Sequence, residues 1–131
     1  MTQPGVTPDT IFALSSGKLP SGVAVVRISG PSARFACETM CGTLPAVRHV
    51  ALKDIKRSDG ETLDKGFVVW LPAPRSFTGE DCLELHLHGG KAVVSAVLGV
   101  LSSLPGLRTA EAGEFTRRAF LNNKLDLVQA E

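Results

Sequence analysis

Cysteine is scarce in this chain, and its placement excludes more than it permits. The three cysteines, Cys37, Cys41 and Cys82, are odd in number, and no CxxC pair occurs, so a zinc ribbon is excluded. Cys37 and Cys41 stand one helical turn apart, where a disulfide constrains little, and all three read as reduced thiols of a cytoplasmic protein. No apolar run approaches the roughly 18 residues of a membrane-spanning helix. The opening MTQPGVTPDT lacks the charged-then-apolar pattern of a secretory signal. A GxxxxGK[ST] loop is missing as well: Gly17-Lys18 and Gly90-Lys91 are followed by Leu19 and Ala92, so no P-loop is available for nucleotide phosphates. An excess of one charge is also absent. Fourteen Lys and Arg against thirteen Asp and Glu leave a net charge of +1, which argues against a dedicated nucleic-acid surface. Neither internal repeats nor low-complexity tracts occur.

What is present suits a single folded domain. A chain of 131 residues, 44% hydrophobic and 21% charged, can bury a core. Residues 1–8 read as a flexible lead, and Thr10 to Leu14 as a short strand. Gly22 to Ile28 (GVAVVRI) predicts a strand with Val23, Val25 and Arg27 on one face and Ala24, Val26 and Ile28 on the other. Apolar residues on both faces make it a central strand. Pro31 to Met40 predicts a helix closed by Gly42. His49 to Lys53 and Thr62 to Leu71 predict strands joined by a tight turn at Ser58-Asp59-Gly60. A long loop follows from Leu71 to Asp81. Cys82 to His88 (CLELHLH) alternates as a strand, and Lys91 to Leu104 carries the helical stripe Val93, Val94, Val97, Leu98 and Leu101. Leu107 to Ala110 predicts a last strand and Gly113 to Asn122 a helix, with a turn at Asn122-Asn123 before Leu125. Strands and helices mix without regular alternation, which gives the class α+β with a mixed β-sheet packed with helices. No stop signal follows Asp126, and the helical pattern is still running at Glu131, as in a piece cut from a longer protein.

Several residues invite chemistry. Period two places Cys82, Glu84, His86 and His88 on one strand face, with Leu83, Leu85 and Leu87 on the other. That row reads as a wetted sheet face, as a ligand-binding carboxylate or histidine, or as a His-x-His metal site, although a closed site needs more ligands than are visible. Arg27 lies at the end of an otherwise apolar strand, where a guanidinium needs a structural salt bridge or an anionic ligand. Lys124 reads on pattern alone as a solvated lysine near a helix end. The Phe77-Thr78-Gly79-Glu80-Asp81 stretch is either a lid or a surface loop.

Four ordered strings then point to a family. The segment from Gly113 to Glu131 (GEFTRRAFLNNKLDLVQAE) closely resembles the GEFTxRAFLNxKxDLxQAE stretch of the tRNA-modification GTPases called MnmE or TrmE. Asp9-Thr10-Ile11, Val26-Arg27-Ile28-Ser29-Gly30, and Ser76-Phe77-Thr78-Gly79-Glu80-Asp81 with Leu83-Glu84-Leu85 and His88-Gly89-Gly90 agree in the same order. The likeness covers residues 9 to 131. It departs in the first loop, where many members read PPGRGG and this chain reads Ser16-Gly17-Lys18-Leu19-Pro20-Ser21-Gly22, and at Leu87, often a smaller residue.

The resemblance implies an α+β domain similar to the tetrahydrofolate-binding domain of aminomethyltransferases. By it, residues 9–122 form a tetrahydrofolate-binding and dimerisation domain, and 123–131 begin a helical domain. It places Arg27, Glu84 and Lys124 at the family's folate-binding positions, for 5-formyl-tetrahydrofolate or 5,10-methylene-tetrahydrofolate. The full-length family protein is a homodimer and hydrolyses GTP with Mg2+ and K+. With the flavoprotein MnmG (GidA) it installs an aminomethyl-type group on C5 of the wobble uridine of tRNA. This segment, lacking the GTPase part, is expected to catalyse nothing alone. The alternative is a stand-alone dimerising interaction domain that has lost folate binding. A carboxylate can accept the adjacent N–H groups of a reduced pterin, which suits Glu84, and folate's anionic tail needs a cation such as Arg27 or Lys124.

Overall fold

The computed structural model describes residues 9–15 and 21–130; of Ser21 and of residues 124–130 it describes the backbone and not the side chains. The expected lead over residues 1–8, residues 16–20 of the loop expected from Ser15 to Ser21, and the Lys124 side chain lie outside the described residues. In chain order the elements are β1 Thr10–Leu14, β2 Ser21–Ser29, α1 Ala33–Cys41, β3 Ala51–Lys56, β4 Thr62–Leu71, β5 Cys82–Gly89, α2 Lys91–Ser103, β6 Leu107–Thr109 and α3 Glu114–Ala130. The α+β class therefore stands.

The strands form one six-stranded sheet in the order β3-β4-β5-β2-β1-β6. Every pairing is antiparallel except β1 with β6, so the sheet is mixed. As its two apolar faces predict, β2 is central, between β5 and β1. Ala24, Val26 and Ile28 from β2, with Leu83, Leu85 and Leu87 from β5, are buried on one face. There α1 and α2 lay down Ala33, Ala36, Cys37, Met40, Val94, Val97, Val100 and Leu101. This is the main core, and burying each large aliphatic side chain contributes about 1.5–3 kcal/mol before the entropy of ordering is subtracted. Both helices cover this face because each carries only one apolar stripe.

The opposite face is divided. Near β1 and β6 it is covered by α3 and by the loop between β4 and β5; Ile11, which points that way, is fully buried. Toward β4 and β3 it is open, and Val23, Phe67 and Leu52 remain 57%, 48% and 60% exposed. The expected strand at 49–53 lies later, at Ala51–Lys56. One expectation fails outright. The chain does not turn at Asn122-Asn123: α3 runs on to Ala130. Asparagine costs a helix interior only a few tenths of a kcal/mol, and here Asn122 gains a tertiary hydrogen bond that offsets it.

Candidate functional site

The antiparallel register of β2 on β5 sets Arg27 directly opposite Glu84 on the divided face. Arg27 Nη2 donates to Glu84 Oε2 at 3.1 Å. The other carboxylate oxygen, Oε1, lies 3.1 Å from His86 Nε2. An ionised carboxylate only accepts, so Nε2 carries the proton in this contact. The ring of Phe77 lies 5.1 Å from the Arg27 guanidinium carbon, within cation–π range. The four side chains thus form a row, Phe77, Arg27, Glu84, His86, at the border between the covered and open parts of the sheet. The Arg27 and Glu84 side chains are 26% and 20% exposed, so both keep some contact with solvent.

The alternating row of β5 does not act as a unit. His88 turns to another carboxylate, its Nδ1 2.8 Å from Asp64 Oδ1, while its backbone N–H donates to Asp64 Oδ2 at 2.9 Å. Cys82 shares the face by parity but is sealed under the β4–β5 loop, its Sγ 3.2 Å from Thr78 Oγ1. Among the described residues no three His, Cys, Asp or Glu side chains gather at a metal-binding point. All three cysteines are free thiols. A cleft of ≈ 160 Å³ adjoins His86, lined also by Gly22, Val23, Lys65, Phe67 and His88. A larger one of ≈ 420 Å³ lies between the end of α1 and β3, and none of Arg27, Glu84 or His86 lines it.

Beside the row stands an ion network that pattern reading did not find. Arg118 of α3 is 4% exposed. Its Nη1 donates to Glu80 at 3.0 and 3.2 Å and to the Asp9 carbonyl at 3.1 Å; its Nη2 donates to Asp9 Oδ1 at 3.0 Å and Glu114 Oε2 at 3.2 Å. Arg108 of β6 holds Glu114 through two hydrogen bonds of 2.8 and 2.5 Å and also pairs with Asp9. That hydrogen-bonded guanidinium draws the Glu114 pKa down to about 2, against burial, with the Glu111 N–H and the charges of Arg108 and Arg118 assisting. Burial alone would raise Asp9, but Arg108 and Arg118 outweigh it and leave its carboxyl below the ordinary value. The carboxylates in turn push the Arg108 pKa up.

The network fixes the β4–β5 loop. Glu80, held by Arg118, also accepts from Ser29 Oγ at 2.8 Å, and Ser29 Oγ lies 2.7 Å from the buried Thr78 Oγ1. Asn122 Nδ2 donates to the Thr78 carbonyl. Gly79 has φ +83°, and a Cβ there would sit 2.7 Å from Asn122 Cβ, so only glycine serves. Phe77 is thereby carried over Arg27 by a neighbour that is fully buried and hydrogen-bonded. Asn122→Ala is expected to cost about 1–2 kcal/mol, because the Thr78 carbonyl loses its partner; equilibrium urea unfolding measures it.

Each string that carries the family resemblance supplies members of this network: Asp9 from the first, Ser29 from the second, Thr78 and Glu80 from the third, and Glu114, Arg118 and Asn122 from the fourth. The spacing of the last three, four residues apart on one helix face, is the signal that sequence reading could have used. Of the expected site residues, the structure brings Arg27 and Glu84 into contact.

Fold and site together define an α+β domain that gathers its half-buried polar residues at the border of an open sheet face. The chain belongs to the family described as GTP-binding protein TrmE N-terminus, whose model matches residues 10–124. It is 61% identical over 131 residues to the tRNA modification GTPase MnmE of Brucella canis, covering all of this chain and 30% of that protein. The Brucella abortus protein of the same name gives the same identity and coverage. That of Rhizobium meliloti is 59% identical over 126 residues, 96% of this chain and 29% of the relative. The chain therefore spans about 30% of the length of the curated relatives it matches.

Proposed function

We propose that this chain is the folate-binding and dimerising N-terminal domain of a tRNA modification GTPase. The observation that carries the reading is the Arg27–Glu84 pair, half-buried beside an open sheet face. Its chemistry fits a reduced folate. Glu84 offers an acceptor-only carboxylate for the adjacent N–H groups of the pterin, and Arg27, 3.1 Å away, fixes and charge-balances that carboxylate, which leaves the distant anionic tail to another cation. Lys124 is the third proposed contact, by resemblance alone. The bound folate would supply a one-carbon unit for the group built on C5 of the wobble uridine. The chain's own part is to hold and orient it. GTP with Mg2+ and K+, the MnmG flavoprotein and tRNA belong in this proposal to the full-length protein. The exposed apolar side chains of Val23, Leu52 and Phe67 on the open face support a homodimer, since apolar surface of this kind favours association.

Calorimetric titration with 5-formyl-tetrahydrofolate tests the reading. Saturable binding in the micromolar range is expected, weakened about tenfold or more in Glu84→Ala, Arg27→Ala and Lys124→Ala, as suits loss of a charge-assisted hydrogen bond. Near wild-type affinity in all three would remove the site assignment. A flat trace with the wild-type chain favours the alternative, a dimerising interaction domain that has lost folate binding. Sedimentation equilibrium reads the dimer independently.

A further inference from the structure

We propose that His86 is a positioning residue for the ligand at Glu84, an inference that rests on the folate reading above. A carboxylate gripped at one oxygen can still rotate about its Cγ–Cδ bond. Arg27 grips only Oε2 of Glu84, whereas His86 Nε2 meets Oε1 from the other side. Two contacts on opposite oxygens stop that rotation and leave the remaining lone pairs at fixed positions for a ligand's N–H groups.

The imidazole is itself held. In register its neighbours are Val25 on β2 and Phe67 on β4, a branched and an aromatic residue that flank it across the sheet. The His86 side chain is 32% exposed, so its contact is partly shielded from competing water. The neighbouring His88 cannot substitute, being engaged by Asp64. The residue works by donating one N–H at a set reach.

The test compares three replacements by titration with 5-formyl-tetrahydrofolate, each checked for an unchanged melting temperature. His86→Leu, which keeps bulk and loses the donor, is expected to weaken binding about tenfold. His86→Gln, whose amide N–H reaches as far, is expected to stay within about threefold of wild type. His86→Asn, with the same amide one methylene short, is expected to match His86→Leu and carries the comparison if the leucine variant does not fold. In a Glu84→Gln background, His86→Leu is expected to add little, because it acts through the carboxylate. Wild-type affinity in His86→Leu and His86→Asn, or equal losses in the Gln and Asn variants, overturns the assignment while leaving the folate site standing. A wild-type chain that gives no binding removes both together.

Discussion

Arg118→Leu is expected to lower the unfolding free energy by about 3–5 kcal/mol. The cause is not the loss of favourable contacts alone. The Arg118 guanidinium is 4% exposed and stands between Asp9, Glu80 and Glu114. Taking it away leaves three carboxylates facing one another, with Arg108 reaching only Asp9 and Glu114. Glu80 is then uncompensated, and the β4–β5 loop loses one of its holds on α3, the other being the Asn122–Thr78 hydrogen bond. In urea unfolding the midpoint is expected to fall by roughly 2 M. A loss below about 1 kcal/mol, the scale of a surface pair, would show that the network is solvated and carries little. Arg118→Lys separates charge from geometry. One ammonium keeps the charge but cannot span three acceptors, so an intermediate loss is expected.

The second expected result is a loss of stability in acid that is traceable to Glu114. Its folded-state pKa is about 2 against an ordinary 4.5. A depressed carboxylate stabilises the fold when ionised, so its contribution is complete above pH 4.5 and disappears as pH falls from there through about 2. A difference of that size corresponds to about 3 kcal/mol. Unfolding free energies measured at intervals from pH 6 down to 2 are expected to fall across this window, with Asp9 contributing in the same direction. In Glu114→Gln the chain is less stable at neutral pH, and the slope between pH 4.5 and 2 is shallower. An unaltered slope in that variant would assign the acid sensitivity elsewhere.

The local order of this domain was largely written in its periodicities. Thr62–Leu71 lies where a returning strand was expected, and the alternation of β5 sends Leu83, Leu85 and Leu87 into the core. Two features resisted because they depend on partners distant in sequence. The Asn122-Asn123 pair looks like a turn by propensity, and the bond from Asn122 to the distant Thr78 favours its place in α3. Arg27 and Glu84 were each singled out, but their contact depends on the β2–β5 register, which no window of either strand reveals. The ion network was harder still. Asp9 and Arg118 are 109 residues apart, and neither looks unusual where it stands. Cys82 shows the limit of parity: it shares a face with Glu84, yet a loop seals it.

The parallel pairing of β1 with β6 sets a timetable for the ribosome. A nascent chain can fold β1 back on β2 as soon as residue 29 has emerged, since that pairing is local. The other edge of β1 has no strand beside it until Leu107–Thr109 are made, and Asp9 waits longer, for Arg118. At about 5–20 residues per second, closure comes several seconds after the first strand is complete. Through that interval Ile11 and the unpaired edge of β1 stay open to solvent and to other chains, so the vulnerable moment in this domain's biogenesis falls at its oldest strand.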